Sequence, residues 1–162
     1  MNDAPRRIAP DDIDAVADLA REVWQATYPA LISQAQIDRM LADRYAAERM
    51  HAQLADPLHA WWIIGEPAAG FAHAYLDGPA CKLDKLYIHP DRQHRGLGGA
   101  LLAAAVDWAR MQGMARMRLQ VNRGNAQAIR AYRKYGFVVV ESRVFDIGDG
   151  FVMDDHVMEL PL

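Results

Sequence analysis

The chain has 162 residues, of which 52% are hydrophobic and 24% charged, the composition of one ordinary soluble domain and too short for two full ones. Lys and Arg total 18 against 21 for Asp and Glu, and the net charge of -3 leaves no electrostatic footprint for nucleic acid or an anionic membrane. The single cysteine, Cys81, cannot close an internal disulfide or build a Cys-rich zinc site, no apolar run approaches the ~20 residues of a membrane helix, and the start MNDAPRRIAPDDID lacks an apolar leader; a cytoplasmic protein is expected.

No linker, low-complexity tract or fixed-period repeat interrupts residues 1–162, which read as one domain. After a short apolar start around Ile8, Pro10 and Asp11 open a helix whose Ile13, Val16, Ala17, Ala20, Val23 and Trp24 form one apolar stripe. Ser33 and Gln36 make a capping-box pattern ahead of Ile37, Met40 and Leu41, and this second helical region, interruptions allowed, ends at Asp56-Pro57. The period then changes: Ala60–Ile64, Gly70–Leu76 and Lys82–Ile88 are β-compatible runs divided by short Gly/Pro turns, which predicts an antiparallel meander. Gly98–Gln112 reads as a helix stopped by Gly113, with Leu97, Leu101, Ala105, Trp108 and Ala109 on one side. Residues 115–121 alternate strictly between Ala115, Met117, Leu119, Val121 and the polar Arg116, Arg118, Gln120, as a strand should. Asn125 can cap a helix through Tyr135 that stops at Gly136, and Phe137–Phe145 and Phe151–Leu160 read as strands around the turn Asp146-Ile-Gly-Asp-Gly150.

A strand, a helix and a further strand in succession normally make a right-handed parallel crossover, so Ile88 to Val121 should join a parallel unit onto the meander. The fold class is therefore α/β (α+β), a mixed and mostly antiparallel sheet with flanking helices. Ligands of such sheets bind beyond the carboxyl ends of strands where the connection order changes, here the end of Lys82–Ile88. The loop at that point, Ile88-His-Pro-Asp-Arg-Gln-His-Arg-Gly96-Leu-Gly98-Gly99, opens a helix with a glycine cluster. Unpaired N–H groups and the positive end of the helix dipole suit a phosphate there, glycines allow its close approach, and Arg92 and Arg95 could add charge. The competing reading is a glycine-rich turn used only for tight packing. No Gly-Lys-Ser/Thr follows and Leu101 stands where a dinucleotide turn needs glycine, so neither a P-loop nor a Rossmann turn is present.

The loop resembles the pyrophosphate loop Gln/Arg-x-x-Gly-x-Gly/Ala of the Gcn5-related N-acetyltransferases (GNAT), met here by Gln93, Gly96 and Gly98 after the strand ending Leu86-Tyr-Ile-His-Pro90. A second motif of that family, Asn-x-x-Ala-x-x-x-Tyr-x-x-x-Gly-Phe, is similar to Asn125 through Ala128 and Tyr132 to Gly136-Phe137. The terminal run from Val144 to Met158 more weakly resembles the last hairpin of bacterial polyamine-type members. The resemblance implies acetyl-coenzyme A as co-substrate, its pyrophosphate on Gln93, His94, Arg95, Gly96, Leu97, Gly98, Gly99 and Ala100, and its pantetheine arm held by backbone groups of Tyr87 and Ile88. It also implies that Tyr132 protonates the departing thiolate; the alternative is a helix-face aromatic packed beside Ile129. Asn125 matches a position beside the cofactor, yet is equally a plain N-cap.

The base that frees the acceptor amine is not fixed by the resemblance. Asp84 stands where many similar enzymes carry an acid, and strict alternation would put it on one face with Leu86 and Ile88, Lys85 and Tyr87 on the other. A salt-bridged carboxylate is its other reading. His73 is the second candidate, against a packed or surface histidine, and a water chain the third. The histidines at 51, 59, 73, 89, 94 and 156 show no ligand spacing, so no metal is expected. Cys81 lacks a helix N-terminus to activate it, which favours direct attack over a covalent acyl-enzyme. Trp61, Trp62, Trp24 and Tyr28 are either core or acceptor contacts.

The expected function is acetyl transfer to a primary amine of a small molecule, polyamine-like because Asp146, Asp149, Asp154 and Asp155 crowd the last hairpin, unless these merely make a polar turn. A protein or peptide acetyltransferase with an open acceptor groove and a non-catalytic acyl-CoA-binding module are the alternatives. A homodimer through the final strands is what the resemblance implies; no nucleic-acid or membrane partner is expected.

Overall fold

The computed structural model describes residues 4–162. A two-residue strand, β1 (Arg6–Arg7), precedes a 3-10 turn at Pro10–Asp12 that leads into α1 (Ile13–Thr27). The apolar stripe of α1 is buried, from Ile13 and Val16 to Val23 and Trp24. Ser33 caps α2 (Gln34–Arg44), its hydroxyl accepting from the Gln36 N–H at 3.1 Å. Only that half of the capping box forms, because the Gln36 amide donates instead to the Val152 carbonyl at 2.8 Å. The rest of the second helical region is a separate short helix, α3 (Ala47–Leu54).

The meander is β2 (His59–Ile64), β3 (Gly70–Asp77) and β4 (Ala80–Ile88), all antiparallel, with β1 added to the free edge of β2. α4 (Leu97–Met111) crosses over to β5 (Arg116–Asn122), which runs parallel to β4. Then come α5 (Ala126–Tyr135), β6 (Val138–Gly148) and β7 (Phe151–Pro161). The sheet order is β1-β2-β3-β4-β5-β7-β6, with β4–β5 the only parallel pair among the described residues. The hairpin closes on Asp149-Gly150, both at positive φ (54° and 79°), the combination a two-residue turn needs to match strand twist.

Both sheet faces are covered, which explains the nearly unbroken apolar run of β2. Trp62 and Ile64 face α4 with Leu101, Met117 and Phe137, while Trp61 and Ile63 face the α1–α3 side with Trp24, Ile37 and Phe71. Two departures from regular geometry shape the middle of the sheet. The parallel pairing of β4 with β5 extends only over Ala80–Lys82 against Arg116–Arg118, after which the strands part. In β4 the register with β3 slips by one: Leu83 faces Ala74 and Lys85 faces His73, leaving Asp84 as the extra residue of a bulge. The bulge overturns the strict alternation expected for β4. Leu83, Leu86 and Ile88 pack on the α4 side, whereas Asp84 joins Lys85 on the opposite face, in contact with Arg44 of α2.

Candidate functional site

Where β4 and β5 part, a cleft of about 1240 Å³ opens across the middle of the sheet, bounded by α1 and α2 at one end and by the start of α4 and the length of α5 at the other. His89 N–H bonds to the Ala69 carbonyl at 2.7 Å, and alternation along an antiparallel ladder then pairs Tyr87 with Phe71 and turns the N–H and C=O of Leu86 and Ile88 away from β3, into the cleft. So Ile88 presents backbone groups as the resemblance implied, but those of Tyr87 belong to the ladder; Tyr87 reaches the cleft by its side chain. The Ile88 carbonyl accepts from Gln93 Nε2 at 3.2 Å, and Gln93 Oε1 accepts from Gln127 Nε2 at 3.1 Å, so Gln93 ties the strand end to α5.

The loop itself turns through a 3-10 segment, Pro90–Arg92, and through His94 and Gly96 at positive φ (63° and 80°) before α4 begins. Ala100 N–H makes the first intrahelical bond, to the Gly96 carbonyl at 3.1 Å, so the N–H groups of Leu97, Gly98 and Gly99 have no helical partner. A Cβ on Gly96 or Gly99 would meet nothing within 4 Å, and one on Gly98 only Ile88 at 3.7 Å. Tight packing therefore does not explain these glycines: Gly96 answers to its backbone angle, and Gly99 leaves open space over a row of unpaired donors. Such a concave, glycine-lined helix start fits a pyrophosphate. Gln93, His94, Gly96, Leu97, Gly98 and Gly99 border the cleft. Arg95 is exposed outside it, and Ala100 packs toward the α4-side core.

Asn125 caps α5, its side chain accepting from the Ala128 N–H at 3.3 Å, and also borders the cleft. Tyr132, one face of α5 further on, is half-buried with its ring edge-on to Phe137 at 5.6 Å. Its hydroxyl makes no hydrogen bond among the described residues, and burial raises its pKa, so the phenol stays protonated.

The floor beside α2 is a network of charges. Asp84 accepts from Lys85 Nζ at 2.6 Å and from Arg44 at 3.1 Å, with His73 Nδ1 at 3.4 Å and Lys82 Nζ at 3.6 Å. Though burial alone would raise it, Lys85 and Arg44, with the hydrogen bond from His73, hold the Asp84 carboxyl well below its ordinary value, which makes it a poor proton acceptor. His73 lies against Trp61 (ring centroids 4.4 Å apart), bonded to His59 at 2.9 Å, and burial takes its pKa down to about 3. Lys85, over the rings of Tyr45 and Trp61, is lowered to about 8, again by burial first. Neither of the two side chains expected as base is thus suited to that task. Arg44 and Lys85 escaped the sequence reading because the bulge that brings them to Asp84 leaves no mark in the residue pattern.

The four hairpin aspartates do not act together. Asp149 pairs with Arg39 at 3.2 Å, Asp154 with Arg123 at 2.8 Å, and Asp146 accepts from the Gly148 N–H at 2.8 Å within its own turn. Asp155 alone is buried, 3% exposed, on the cleft wall, and its Oδ1 has no hydrogen-bond partner. Burial, with Asp154 beside it, raises its pKa to about 6. The adjacent pair did carry a signal, since neighbours on a strand face opposite ways and one of them had to turn inward.

Of the aromatics, Trp24, Trp61 and Trp62 are core, Trp62 edge-on to Trp108 at 5.8 Å. Tyr28 borders the cleft, its hydroxyl 3.0 Å from that of Tyr87. Burial pushes the Cys81 thiol up to about 12, which unsuits it as a nucleophile. Among the described residues no helix is long and apolar enough to cross a membrane, and no group of three or more His, Cys, Asp or Glu is placed to hold a metal ion.

The same architecture occurs in known proteins. The PaiA N-acetyltransferase of Thermoplasma acidophilum, solved with coenzyme A, is 24% identical, covers 98% of both chains and superposes with a TM-score of 0.84. A spermidine N(1)-acetyltransferase of the same organism is 25% identical over 92% of this chain and 94% of its own. An uncharacterised N-acetyltransferase of Mycobacterium tuberculosis is 29% identical over 91% of this chain and 96% of its own. The family model of the acetyltransferase (GNAT) family matches residues 14–137, which include both the glycine-rich loop and Tyr132. The chain belongs to that family, as an acetyl-CoA-dependent N-acetyltransferase.

Proposed function

We propose that the acceptor is a primary amine of a small, multiply charged molecule of polyamine type, acetylated by direct attack in a ternary complex in the cytoplasm. The observation that carries this reading is the closure of the acceptor end. The Tyr28–Tyr87 hydroxyl contact joins α1 to β4, and Gln36 to Val152 with Arg39 to Asp149 joins α2 to the β6–β7 hairpin. A folded polypeptide would need an open groove there. The name of the spermidine-acetylating relative and the unpaired Asp155 support a cationic acceptor.

Acetyl-coenzyme A supplies the thioester that the amine attacks. The N–H groups of Leu97, Gly98 and Gly99 receive its pyrophosphate, with Gln93 bracing the loop. The Ile88 N–H is the donor available to a carbonyl oxygen that gains charge during attack. Tyr132, held protonated by burial, gives its proton to the departing sulfur. A binding module without activity would have no need of a free phenol in the cleft. A homodimer along the edge strand β6 belongs to the same proposal, supported by the exposed Val138, Val140 and Val144.

The test is thiol release with spermidine, a neutral arylamine and an N-terminal peptide as acceptors, each at low and high salt. Spermidine should be preferred, with a rate that falls as salt rises; preference for the peptide or the arylamine overturns the proposal. Gly96→Asp should abolish coenzyme binding by calorimetry while the protein stays folded, because a carboxylate would stand where the pyrophosphate belongs.

A further inference from the structure

Every anionic side chain around the cleft has a cation or a donor except one. Asp84 is shared among Arg44, Lys82 and Lys85, while Lys82 also donates to Gln120 at 2.9 Å. Asp155, opposite Asn122 of β5 and Arg143 of β6 in register, has neither an ion pair nor a hydrogen bond on Oδ1. The Arg143 side chain turns to Glu141 and the ring of Phe145 instead. From β4 Lys82 and Tyr87 face Asp155, from α2 Arg44, and from β7 itself Asp154; Lys82 and Arg44 are already bound to other groups. His156, next along β7, bonds to Ser142 at 2.7 Å. A carboxylate buried without a partner costs stability, and a fold retains it where a ligand brings the missing charge.

We propose that Asp155 is the residue that takes the acceptor: its unpaired carboxylate, on the cleft wall, binds the substrate ammonium and removes the proton that blocks attack. The inference rests on the amine-acceptor reading above and names its base. One N–H bond of the ammonium breaks and one O–H bond forms on Asp155, leaving the electron pair on nitrogen. That pair forms the C–N bond to the thioester carbonyl carbon, and the C–S bond breaks as Tyr132 gives its proton to sulfur. The surplus proton then on nitrogen restores the Tyr132 phenol. Asp155 keeps the first proton and releases it to water, which accounts for the one proton liberated per amide made from an ammonium. Burial tunes the group for this, its pKa of about 6 leaving it ionised yet basic at pH 7.

The experiment compares Asp155→Asn with Asp154→Asn, whose parent carboxylate is bound to Arg123 outside the cleft. With spermidine, or the best amine of the panel, Asp155→Asn should lower kcat/KM at pH 7 by about 100-fold or more, in the range for loss of a positioned base. It should also erase the limb of the wild-type profile that rises through about pH 6, with coenzyme A affinity unchanged by calorimetry. Asp154→Asn should retain activity within about threefold. In the wild type, carbon NMR should find the Asp155 carboxyl titrating near 6, and saturating spermidine in the presence of coenzyme A should lower that value. An Asp155→Asn enzyme with wild-type kcat/KM and the same rising limb overturns the assignment. So does an Asp155 titration that spermidine leaves unmoved, a measurement that decides the matter if the variant does not fold. If the panel shows a peptide as the preferred acceptor, the small-amine proposal fails while the Asp155 titration still returns its own answer.

Discussion

Burial acts on Tyr132 and Asp155 in the same direction, disfavouring the charged form, yet with opposite chemical results. It keeps the phenol a proton donor and makes the carboxylate a better acceptor. Tyr132→Phe should therefore lower kcat about 10- to 1000-fold with little change in coenzyme affinity, since the ring and its contact with Phe137 remain; an unchanged kcat under rate-limiting chemistry would return the residue to a packing role. The same burial has a stability side. The Asp155 carboxyl, raised from 3.8 to about 6, holds its proton more tightly in the folded chain, so its contribution is full below 3.8 and lost as pH rises through about 6. His73, lowered from 6.5 to about 3, contributes stability above 6.5 that is lost as pH falls toward 3. The two trends oppose each other between them. Asp155→Asn should raise Tm at pH 7 by about 2–5 °C, and the gain should shrink, without vanishing, toward pH 5 as the parent carboxyl takes up its proton, while the His73 loss sets in; calorimetry at pH 5, 6 and 7 measures both.

At the scale of elements, helices and strands were legible because their signals are local. Ser33, Asn125, Gly113 and Gly136 mark ends through their own hydrogen bonds or backbone angles, and the alternation of residues 115–121 reports β5 directly. The glycine loop was legible for the same reason, and so were Gln93, Asn125 and Tyr132 as neighbours of one cleft. What escaped reading was long-range. The bulge at Asp84 is decided by pairing with β3, not by β4 alone, and it moved Asp84 to the face of Lys85 and Arg44. The second half of the Ser33 box likewise lost to a partner more than a hundred residues away, the Val152 carbonyl. The start of α4 offers a test that separates fold from function. Gly99 has an ordinary helical backbone and open space around it, so Gly99→Ala should stabilise the free protein by about 0.5–1 kcal/mol in urea. The same methyl would stand over the unpaired N–H groups and should weaken coenzyme A binding about tenfold or more, as calorimetry would show. Tighter packing with unchanged binding would argue against the cradle.

At the scale of the molecule, α1 and α2 close one end of the cleft, and the hairpin β6–β7 holds α2 there through Arg39 and Gln36. Arg39→Ala removes the contacts to Asp149 and to the Gly148 carbonyl, at 3.2 and 2.8 Å. The exposed pair is worth roughly 1 kcal/mol or less, so the fold should survive while KM for the amine rises with kcat little changed. The sheet itself has a consequence of another kind. Among the described residues, the three rungs of Ala80–Lys82 on Arg116–Arg118 and the Ala115 N–H bond to the Pro79 carbonyl at 3.0 Å are the backbone pairing between its two halves. Beyond these rungs the two halves are held to each other by side-chain packing under α4 and not by backbone bonds, like a clothes peg gripped at one end. A ligand gripped along the gap would act as the missing rungs and couple the two halves directly. Amide exchange should therefore slow on coenzyme A binding far from any contact with it, in the pairing of β5 with β7, and the whole sheet should come to open as one.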